Sequence, residues 1–565
     1  MGATHNSLNN PLRAVAFVVA RLTSSRLSNK QFRKIGDRPL IKWIVDNLEQ
    51  SKELDEIVIT TVASPENIPL QNFAKENGLS CFRYEGDVDH VTNRLRKAAE
   101  KYNAEICVLI SGDCPLIHSP AIDQMVQCLR QNTSADIPLI PTGPKGMYPA
   151  LEGIAVARRK AWQVADDLSD RPEFKEHFFP IMSIRPELFE AVDCCCDEVL
   201  YFPKHRLSVD TSADLTFMNK LYDEITVKNK NKFNIPSVLS LLQQRPDLLK
   251  INQHVHQRGV AEKTGKILFV VDAGAIFGYG HLMRSTELAM QIVERLGWQV
   301  DFMVDDETSA LLVEDNGMRA LWGAVGREPA EQPAHRQGIS DLFSDHYYNL
   351  AVLDVYCRRD LLPGWRNLFP SDTGMIVLNN AGDWAEEADR VIVPEVFEEE
   401  GRGGQWMGGL DYIIIRREIR YAKDKAENKD IDVLAYLQLP EHVMLVKKIA
   451  ADENLKLVII DGFSHDFPNL LARSRFFISG FGYSFYEAIY LNTMPITLPT
   501  SDAHMEAALF FYEQVGLSPL VIDPVNDKAS WPAMANVHPL ERKLTDGTER
   551  IVLEIAQFIS DKILI

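Results

Sequence analysis

Short apolar runs rich in β-branched residues alternate with amphipathic stretches along most of this 565-residue chain. Runs of four to eight such residues are typical of buried strands, and the stretches between them have the periodicity of helices. Strands that alternate with helices usually pair in parallel, because a parallel connection needs a crossover long enough to hold a helix. The sequence therefore predicts an α/β fold with mostly parallel sheets.

The alternation falls into three series, which predicts more than two compact units. We predict strands at residues 14–19, 56–62, 105–111 and 206–209, with helices at 40–51, 91–101 and 121–132; then strands at 266–271, 300–304, 350–354, 375–378 and 390–393; then strands at 456–460, 476–479 and 494–499. A predicted helix at 235–242 and a polar stretch follow the first series, and a charged stretch at 417–432 predicts a hinge beside a cleft. The predicted parts are 12–225, a first α/β domain; 226–264, a helical extension and linker; and two α/β lobes at 265–420 and 421–565.

The charge balance limits the partners of this chain. A net charge of −19 argues against a protein that wraps DNA or RNA, because that affinity comes mainly from Lys and Arg at phosphates. No apolar run is long enough for a membrane span, and the polar first residues lack the pattern of a signal peptide. We expect a cytoplasmic protein that binds neither nucleic acid nor a membrane.

The loop after the first predicted strand, residues 20–30 (ARLTSSRLSNK), concentrates positive charge. Arg21, Arg26 and Lys30 are interleaved with hydroxyl side chains, and a triphosphate needs both fixed donors and positive charge. A solvated basic loop is the alternative. We expect Arg26 and Lys30 to project into a cleft.

Two carboxylates end predicted strands of the same sheet. Asp113 lies in residues 111–117 (SGDCPLI), and Asp210 lies in residues 208–215 (SVDTSADL). Carboxylates at one edge of a sheet, together with substrate phosphates, make a site suited to Mg²⁺. Asp210 could instead be the N-cap of a helix that starts at Ser212.

These segments, together with Glu176 and His177, occur in the order found in cytidylyltransferases of the spore-coat polysaccharide family, which are related to 3-deoxy-manno-octulosonate cytidylyltransferase. The chain resembles this family over residues 12–255. The family's Pro-Gly before the lysine is Ser28–Asn29 here, and residues 150–155 (ALEGIA) replace its acidic substrate-loop pattern.

The resemblance implies a Rossmann-like nucleotidyltransferase that uses CTP and Mg²⁺ to convert an acidic sugar to its CMP form. Arg21, Arg26 and Lys30 would then hold the phosphates, and Asp113 and Asp210 would carry the metal ion. The other implied contacts are Ala20, Ser25 and Gly112 to the nucleotide, and Tyr148 and His177 to the sugar.

A second candidate site begins at residues 278–284 (GYGHLMR), between a predicted strand and a predicted helix. Gly278 and Gly280 allow close approach of a ligand to the backbone. His281 lies in the first helical turn, where the helix dipole favours a neutral imidazole that can act as a base. A histidine that merely caps the helix is the alternative.

The third series contains a glycine-rich loop that opens a helix, residues 479–489 (SGFGYSFYEAI). Backbone N–H groups at such a turn can bind a diphosphate, and Glu487 could accept hydrogen bonds from ribose hydroxyls. An ordinary surface role for Glu487 is the alternative.

With residues 410–419 (LDYIIIRREI), these segments resemble the UDP-sugar hydrolase of pseudaminic acid biosynthesis over residues 265–540. The resemblance implies a two-lobed fold of the glycosyltransferase-B type that hydrolyses a UDP-linked diacetamido sugar without metal, with His281 assisting. The implied contacts are Gly280, Gly482, Tyr483, Ser484 and Glu487 to the nucleotide, and Arg284 and Tyr412 to the sugar. Residues 434–441 (LAYLQLPE) lack the family's Gly-Gly loop, and Asn379–Asn380 replace an acidic pair.

We therefore expect a cytidylyltransferase fused to a UDP-sugar hydrolase-like module of nonulosonic acid biosynthesis. The module could instead be a glycosyltransferase, or a non-catalytic binding or scaffolding domain. We also expect a homodimer and a complex with a nonulosonic acid synthase.

Overall fold

The computed structural model describes residues 12–24, 26–169, 174–175, 181–182, 184–257, 262, 264–274, 278–321, 347–355, 365–378, 383–396, 403–425, 428–437, 439–460, 462, 464–515, 519–522 and 544–562. The chain divides into two compact units, Met1–Thr264 and Gly265–Ile565. Within the described residues, no helix is long and apolar enough to cross a membrane.

The N-terminal unit is built on a five-stranded sheet of order β5-β4-β1-β6-β9, in which only β9 is antiparallel to its neighbour. Its strands are β1 Ala14–Val19, β2 Lys34–Ile35, β3 Arg38–Pro39, β4 Glu56–Val62, β5 Ser80–Tyr84, β6 Ile106–Ser111, β7 Ile137–Leu139, β8 Met147–Pro149, β9 Ile154–Arg158, β10 Ala191–Asp193 and β11 Tyr201–Pro203. Its described helices are α1 Leu40–Leu48, α2 Ile68–Glu76, α3 Val91–Lys101, α4 Ser119–Gln131, α5 Arg159–Asp167, α6 Ser212–Tyr222 and α7 Ile235–Gln244.

Both faces of this sheet are covered by helices, which explains the continuous apolar runs of its strands. Successive side chains of a strand point to opposite faces. Ala16 and Val18 of β1 accordingly pack with α1, α2, α4, α6 and α7. Val15 and Phe17 pack with α3 and α5 on the other face. The predicted Rossmann-like α/β arrangement of this unit is confirmed.

The predicted strand at 206–209 is wrong, since this segment forms a loop. The antiparallel strand β9 occupies the place beside β6 in the sheet. The loop is held by other partners: Leu207 N donates to Glu152 Oε2 at 2.8 Å, and Val209 N donates to Asp113 O at 2.8 Å.

The segment after α6 is part of the N-terminal unit rather than a linker over most of its length. Phe233, Val238 and Leu248 are each at most 3% exposed and belong to the core that contains α1 and α6. A 3₁₀ helix, Pro246–Ile251, follows α7. The polar composition of this segment hid the apolar residues that it buries.

The C-terminal unit contains two sheets whose strands are all parallel, with orders β14-β13-β12-β15-β16-β17-β18 and β20-β19-β21-β22. The first comprises β12 Lys266–Val271, β13 Gln299–Met303, β14 Arg319–Leu321, β15 Leu350–Asp354, β16 Gly374–Val377, β17 Arg390–Val393 and β18 Trp406–Gly408. The second comprises β19 Ile431–Tyr436, β20 Leu457–Ile460, β21 Ser474–Ser479 and β22 Met494–Thr497. Its described helices are α8 Gly280–Leu296, α9 Glu307–Asp315, α10 Arg417–Lys425, α11 Pro440–Asp452, α12 Phe467–Arg473, α13 Ser484–Tyr490, α14 Asp502–Val515 and α15 Thr548–Lys562.

The chain returns to the first of these two sheets at its end. Ile551, Ile555 and Phe558 of α15 are buried in the core that contains α8 and β12. The predicted lobe at 421–565 therefore differs from the structure, in which this range contributes to the cores of both sheets. Residues 379–380 and 438 lie outside the described residues; residues 434–436 end β19, and residues 440–441 begin α11.

The described part of the charged stretch at 417–432, where we predict a hinge, contains buried ion pairs. It begins with α10, and Arg417 Nη2 donates to both carboxylate oxygens of Glu294, at 2.9 and 3.0 Å. Arg420 pairs with Glu287 at 2.7 Å. Because the side chains of Glu287 and Glu294 are each 1% exposed, these are buried ion pairs that fix α10 against α8.

Candidate active site

The basic loop that follows β1 begins a short 3₁₀ helix at Lys30. Asn29 precedes this helix with φ of 52°, in the left-handed region that glycine and asparagine tolerate best. Asn29 therefore adopts a backbone conformation that a glycine would also tolerate.

Lys30 forms a bridge between two carboxylates. Its Nζ donates to Asp113 Oδ2 and to Asp210 Oδ1, each at 2.7 Å. Burial alone would lower the pKa of Lys30, but the charges of Asp113 and Asp210 outweigh burial and raise it above its usual value. Lys30 is 9% exposed and is held by these two carboxylates; its projection into a cleft stays a prediction.

Arg26 approaches the same centre from the loop, with Nη2 at 3.0 Å from Asp210 Oδ2. Its Nη1 is buried and has no hydrogen-bond partner among the described residues. A buried guanidinium donor without an acceptor is costly. A phosphate oxygen is the kind of group that would satisfy it.

The two carboxylates meet because two loops approach closely. Gly112 N donates to Val19 O at 2.9 Å, and a Cβ on Gly112 would lie 2.4 Å from that oxygen. Asp113 follows directly, and Val209 N binds the carbonyl oxygen of Asp113, which brings Asp210 alongside. The sequence predicted this meeting correctly but with the wrong element carrying Asp210.

Asp210 is not the N-cap of α6. Thr211 holds that position and forms a capping box with Asp214. Burial would raise the pKa of Asp210, but Lys30, Arg26 and Arg206 outweigh burial and hold it well below its usual value. Asp210 is thus a deprotonated, inward-facing carboxylate.

Sequence reasoning missed two members of this centre. Arg206 hydrogen-bonds Asp210 through Nη2, and Glu152 binds Ser208 Oγ at 2.7 Å. Burial raises the pKa of Glu152, and its hydrogen bonds from Ser208 and Leu207 partly offset this. Glu152 lies within residues 150–155, the segment that departs from the pattern of the family that the chain resembles. That departure was the sequence signal that could have pointed to Glu152.

Two carboxylates that converge on one cation could hold Mg²⁺, a hard ion that binds oxygen ligands. Among the described residues no group of three or more His, Cys, Asp or Glu is arranged to hold a metal ion. Asp113 and Asp210 would therefore need phosphate oxygens to complete the coordination of Mg²⁺, as is usual for this ion.

The other residues of this unit that we predicted to contact the nucleotide or the sugar are not hydrogen-bonded to Lys30, Asp113 or Asp210 among the described residues. Arg21 pairs with Asp89 at 2.8 Å, Ala20 is fully buried, and Tyr148 on β8 is 44% exposed. Ser25 and His177 lie outside the described residues.

In the C-terminal unit, His281 lies in the first turn of α8, as predicted. Its Nδ1 is 2.6 Å from Asp354 Oδ1, at the end of β15. Since Asp354 is fully buried and ionised, the consistent tautomer carries the proton on Nδ1 and donates it to Asp354. Among the described residues, no hydrogen bond engages its Nε2.

Asp354 is held by three further donors. Arg284 donates through Nε at 2.9 Å and Nη2 at 2.6 Å, and Ser285 Oγ donates at 2.8 Å. Burial would raise the pKa of Asp354, but Arg284 and His281 hold it far below its usual value. Arg284, predicted to contact the sugar, is 4% exposed and engaged here. Asp354 was not singled out, although it ends a predicted strand just as Asp113 does.

The predicted nucleotide contacts of this unit lie in loops and first helical turns that follow strands of both sheets. Gly280 is close to Tyr483, with 3.8 Å between a Cβ on Gly280 and Tyr483 Cβ, and Tyr483 Oη accepts from Ile414 N at 2.5 Å. Gly482 borders open space, and Ser484 begins α13.

Two predicted ligand contacts are buried in this unit. Both oxygens of Glu487 accept from Arg416, at 2.6 and 2.7 Å, and its side chain is 1% exposed. A ribose contact at Glu487 would therefore require this pair to open. Tyr412 is 7% exposed in the hydrophobic core beneath Arg550, which does not fit the predicted contact with a sugar.

Comparison with known proteins assigns the N-terminal unit. Residues 15–244 match the sequence model of the cytidylyltransferase family. The chain is 28% identical over 259 residues to an uncharacterized protein of Methanocaldococcus jannaschii, covering 44% of this chain and 99% of that protein. It is 24% identical over 238 residues to the spore coat polysaccharide biosynthesis protein SpsF of Bacillus subtilis, covering 41% and 95%.

A third relative is the 3-deoxy-manno-octulosonate cytidylyltransferase of Bdellovibrio bacteriovorus, 25% identical over 126 residues, covering 22% of this chain and 49% of that enzyme. The chain thus spans about half of that relative. Residues 15–244 thus carry the similarity to the cytidylyltransferase family, and the protein is a nucleotidyltransferase.

Proposed function

We propose that the N-terminal unit transfers CMP from CTP to an acidic sugar of the octulosonic or nonulosonic type. The names of two relatives support this, one an octulosonate cytidylyltransferase and one a spore coat polysaccharide biosynthesis protein. The observation that carries the proposal is the convergence of Lys30, Asp113 and Asp210, beside a buried Arg26 nitrogen that lacks an acceptor.

In this proposal a hydroxyl oxygen of the sugar bonds to the α-phosphorus of CTP. The bond from that phosphorus to the bridging oxygen breaks, and pyrophosphate leaves with the electron pair while the hydroxyl proton passes to solvent. Lys30 and Arg26 leave Asp210 for the phosphates and neutralise the charge that develops on them. Bound at Asp113 and Asp210, Mg²⁺ would add Lewis-acid neutralisation of the phosphates.

A product screen tests the substrate class. The protein is incubated with CTP, MgCl₂ and a panel of octulosonic and nonulosonic acids, and CMP-linked products are sought by mass spectrometry. Asp113→Asn and Asp210→Asn should each abolish Mg²⁺-dependent pyrophosphate release, because each deletes an anionic ligand. Release near the wild-type rate in both variants would refute the role of the two carboxylates.

For the C-terminal unit we propose a two-lobed, glycosyltransferase-B-like enzyme that hydrolyses a UDP-linked diacetamido sugar. The observation in its favour is His281, whose Nδ1 is held by the buried Asp354 and whose Nε2 is engaged by no hydrogen bond among the described residues. That Nε2 would take a proton from water as the oxygen attacks the anomeric carbon and UDP departs. A homodimer, and a complex with a nonulosonic acid synthase, belong to the same proposal.

Release of UDP tests this second activity. His281→Ala and Asp354→Asn should each lower the rate by about 10²- to 10⁴-fold, the usual contribution of a general base, while cytidylyl transfer persists. Transfer to a sugar acceptor instead of water would favour a glycosyltransferase. If neither reaction occurs, a binding or scaffolding role replaces the enzymatic one.

A further inference from the structure

The position of Asp210 depends on a neighbouring carboxylate, Asp214, which is fully buried in the first turn of α6. Asp214 Oδ2 accepts from the backbone nitrogens of Asp210 and Thr211, at 3.1 and 3.0 Å. The same oxygen accepts from Arg206 Nε at 3.1 Å, and Arg206 in turn binds the Asp210 carboxylate through Nη2. Asp214 therefore orients both the backbone and the side-chain partner of Asp210.

Asn252 completes this arrangement from the segment that follows α7. It is 2% exposed, and its Nδ2 donates to Asp214 Oδ1 at 2.9 Å and to Arg206 O at 3.4 Å. Its Oδ1 lies 2.9 Å from Nε2 of His205, which is the donor in this pair. One amide thus joins the loop before Asp210 to the start of α6.

We infer that Asn252 is a positioning residue for nucleotidyl transfer, acting through Asp214 and Arg206 on Asp210. Without the amide, Asp214 Oδ1 loses the one hydrogen bond that the described residues give it. The buried carboxylate then competes with Asp210 for the Arg206 guanidinium, which already donates to both residues. Asp210 and its contact with Lys30 are displaced as a result.

Asn252→Ala tests this in the full-length protein, with Leu248→Ala as the matched control. Leu248 is about as buried in the same segment, but its side chain is apolar and belongs to the hydrophobic core. Titration calorimetry with CTP in MgCl₂ is the first readout because it needs no sugar. Turnover with CTP and 3-deoxy-manno-octulosonic acid is the second, at a temperature where both variants are folded.

We expect Asn252→Ala to weaken CTP binding about tenfold and to lower kcat at least tenfold, whereas Leu248→Ala stays within twofold of wild type in both. Equal losses in the two variants, or wild-type binding and turnover in Asn252→Ala, would overturn the inference. If Asn252→Ala does not fold, the same limits apply to Asn252→Leu, which has a similar volume and neither donates a hydrogen bond nor carries a charge. Absence of turnover in the wild type would refute this sugar as substrate, while CTP binding would still decide the role of Asn252.

Discussion

Replacing Lys30 by methionine separates the stabilising role of this residue from its proposed catalytic role. Lys30→Met keeps the length of the side chain and removes the charge that joins Asp113 to Asp210. Two hydrogen bonds of 2.7 Å are lost, and such bonds to charged groups contribute about 1.5–3 kcal/mol each. Asp210 keeps its ion pairs with Arg26 and Arg206 in this variant. Most of the lost stabilisation therefore comes from Asp113, whose side chain is 20% exposed and so partly solvated.

We therefore expect the free energy of unfolding of the N-terminal unit to fall by about 3 kcal/mol, toward the lower end of the cost of breaking a buried ion pair. For a unit of this size, each kcal/mol lowers Tm by about 2–4 °C. If Lys30 also neutralises the phosphates, kcat/KM for CTP should fall by about 10²- to 10³-fold, the usual effect of removing one such donor.

Calorimetry measures Tm, and a coupled pyrophosphate assay measures kcat/KM below the Tm of the variant. Lys30→Arg is the control, since it keeps the charge in a different geometry and should retain more of the stability than of the activity. An unchanged Tm in Lys30→Met would refute the buried bridge. Turnover within threefold of wild type would refute its part in the reaction.

Three further predictions concern packing and ionisation. Gly112→Ala should lower both Tm and activity, because its Cβ would lie 2.4 Å from Val19 O; wild-type values in both would contradict the close approach of the two loops. Arg417→Met should destabilise the C-terminal unit by about 3–5 kcal/mol in urea unfolding, since it removes a guanidinium that pairs with the buried Glu294; a loss below 1 kcal/mol would argue against the buried pair. Burial lowers the pKa of Lys429 to about 8, against about 10.4 unfolded, so between these values only the unfolded chain holds the proton and stability rises with pH. Lys429→Met should remove that part of the rise, and identical pH dependence in both proteins would contradict the lowered pKa.

Much of the fold could be predicted because apolar periodicity reports which segments are buried. The predicted strands at 14–19, 56–62, 266–271 and 350–354 match the structure to the residue. The segment at 206–209 has the same apolar pattern but forms a loop, because side chains and backbone groups of Glu152 and Asp113 satisfy its nitrogens instead of a neighbouring strand. Periodicity does not reveal such nonlocal partners.

The site was partly predictable for a related reason. Asp113 could be found because the carboxyl ends of parallel strands are where such sheets bind ligands. Asp210 was found by the same reasoning, although the segment before it is a loop and not a strand. Asp354 occupies the equivalent place in the next sheet. Its proposed role depends on its contact with His281, which is 73 residues away in sequence. Asn252 and Arg206 act on Asp210 only through contacts that exist in the folded unit.

The most direct test of the central claim is the stoichiometry of the first reaction. With CTP, MgCl₂ and a panel of octulosonic and nonulosonic acids, mass spectrometry should detect one CMP-linked acid for each pyrophosphate released, and Asp210→Asn should yield neither. Failure of every acid in the panel to yield a CMP-linked product with the wild-type protein would contradict the proposed transfer of CMP to an acidic sugar.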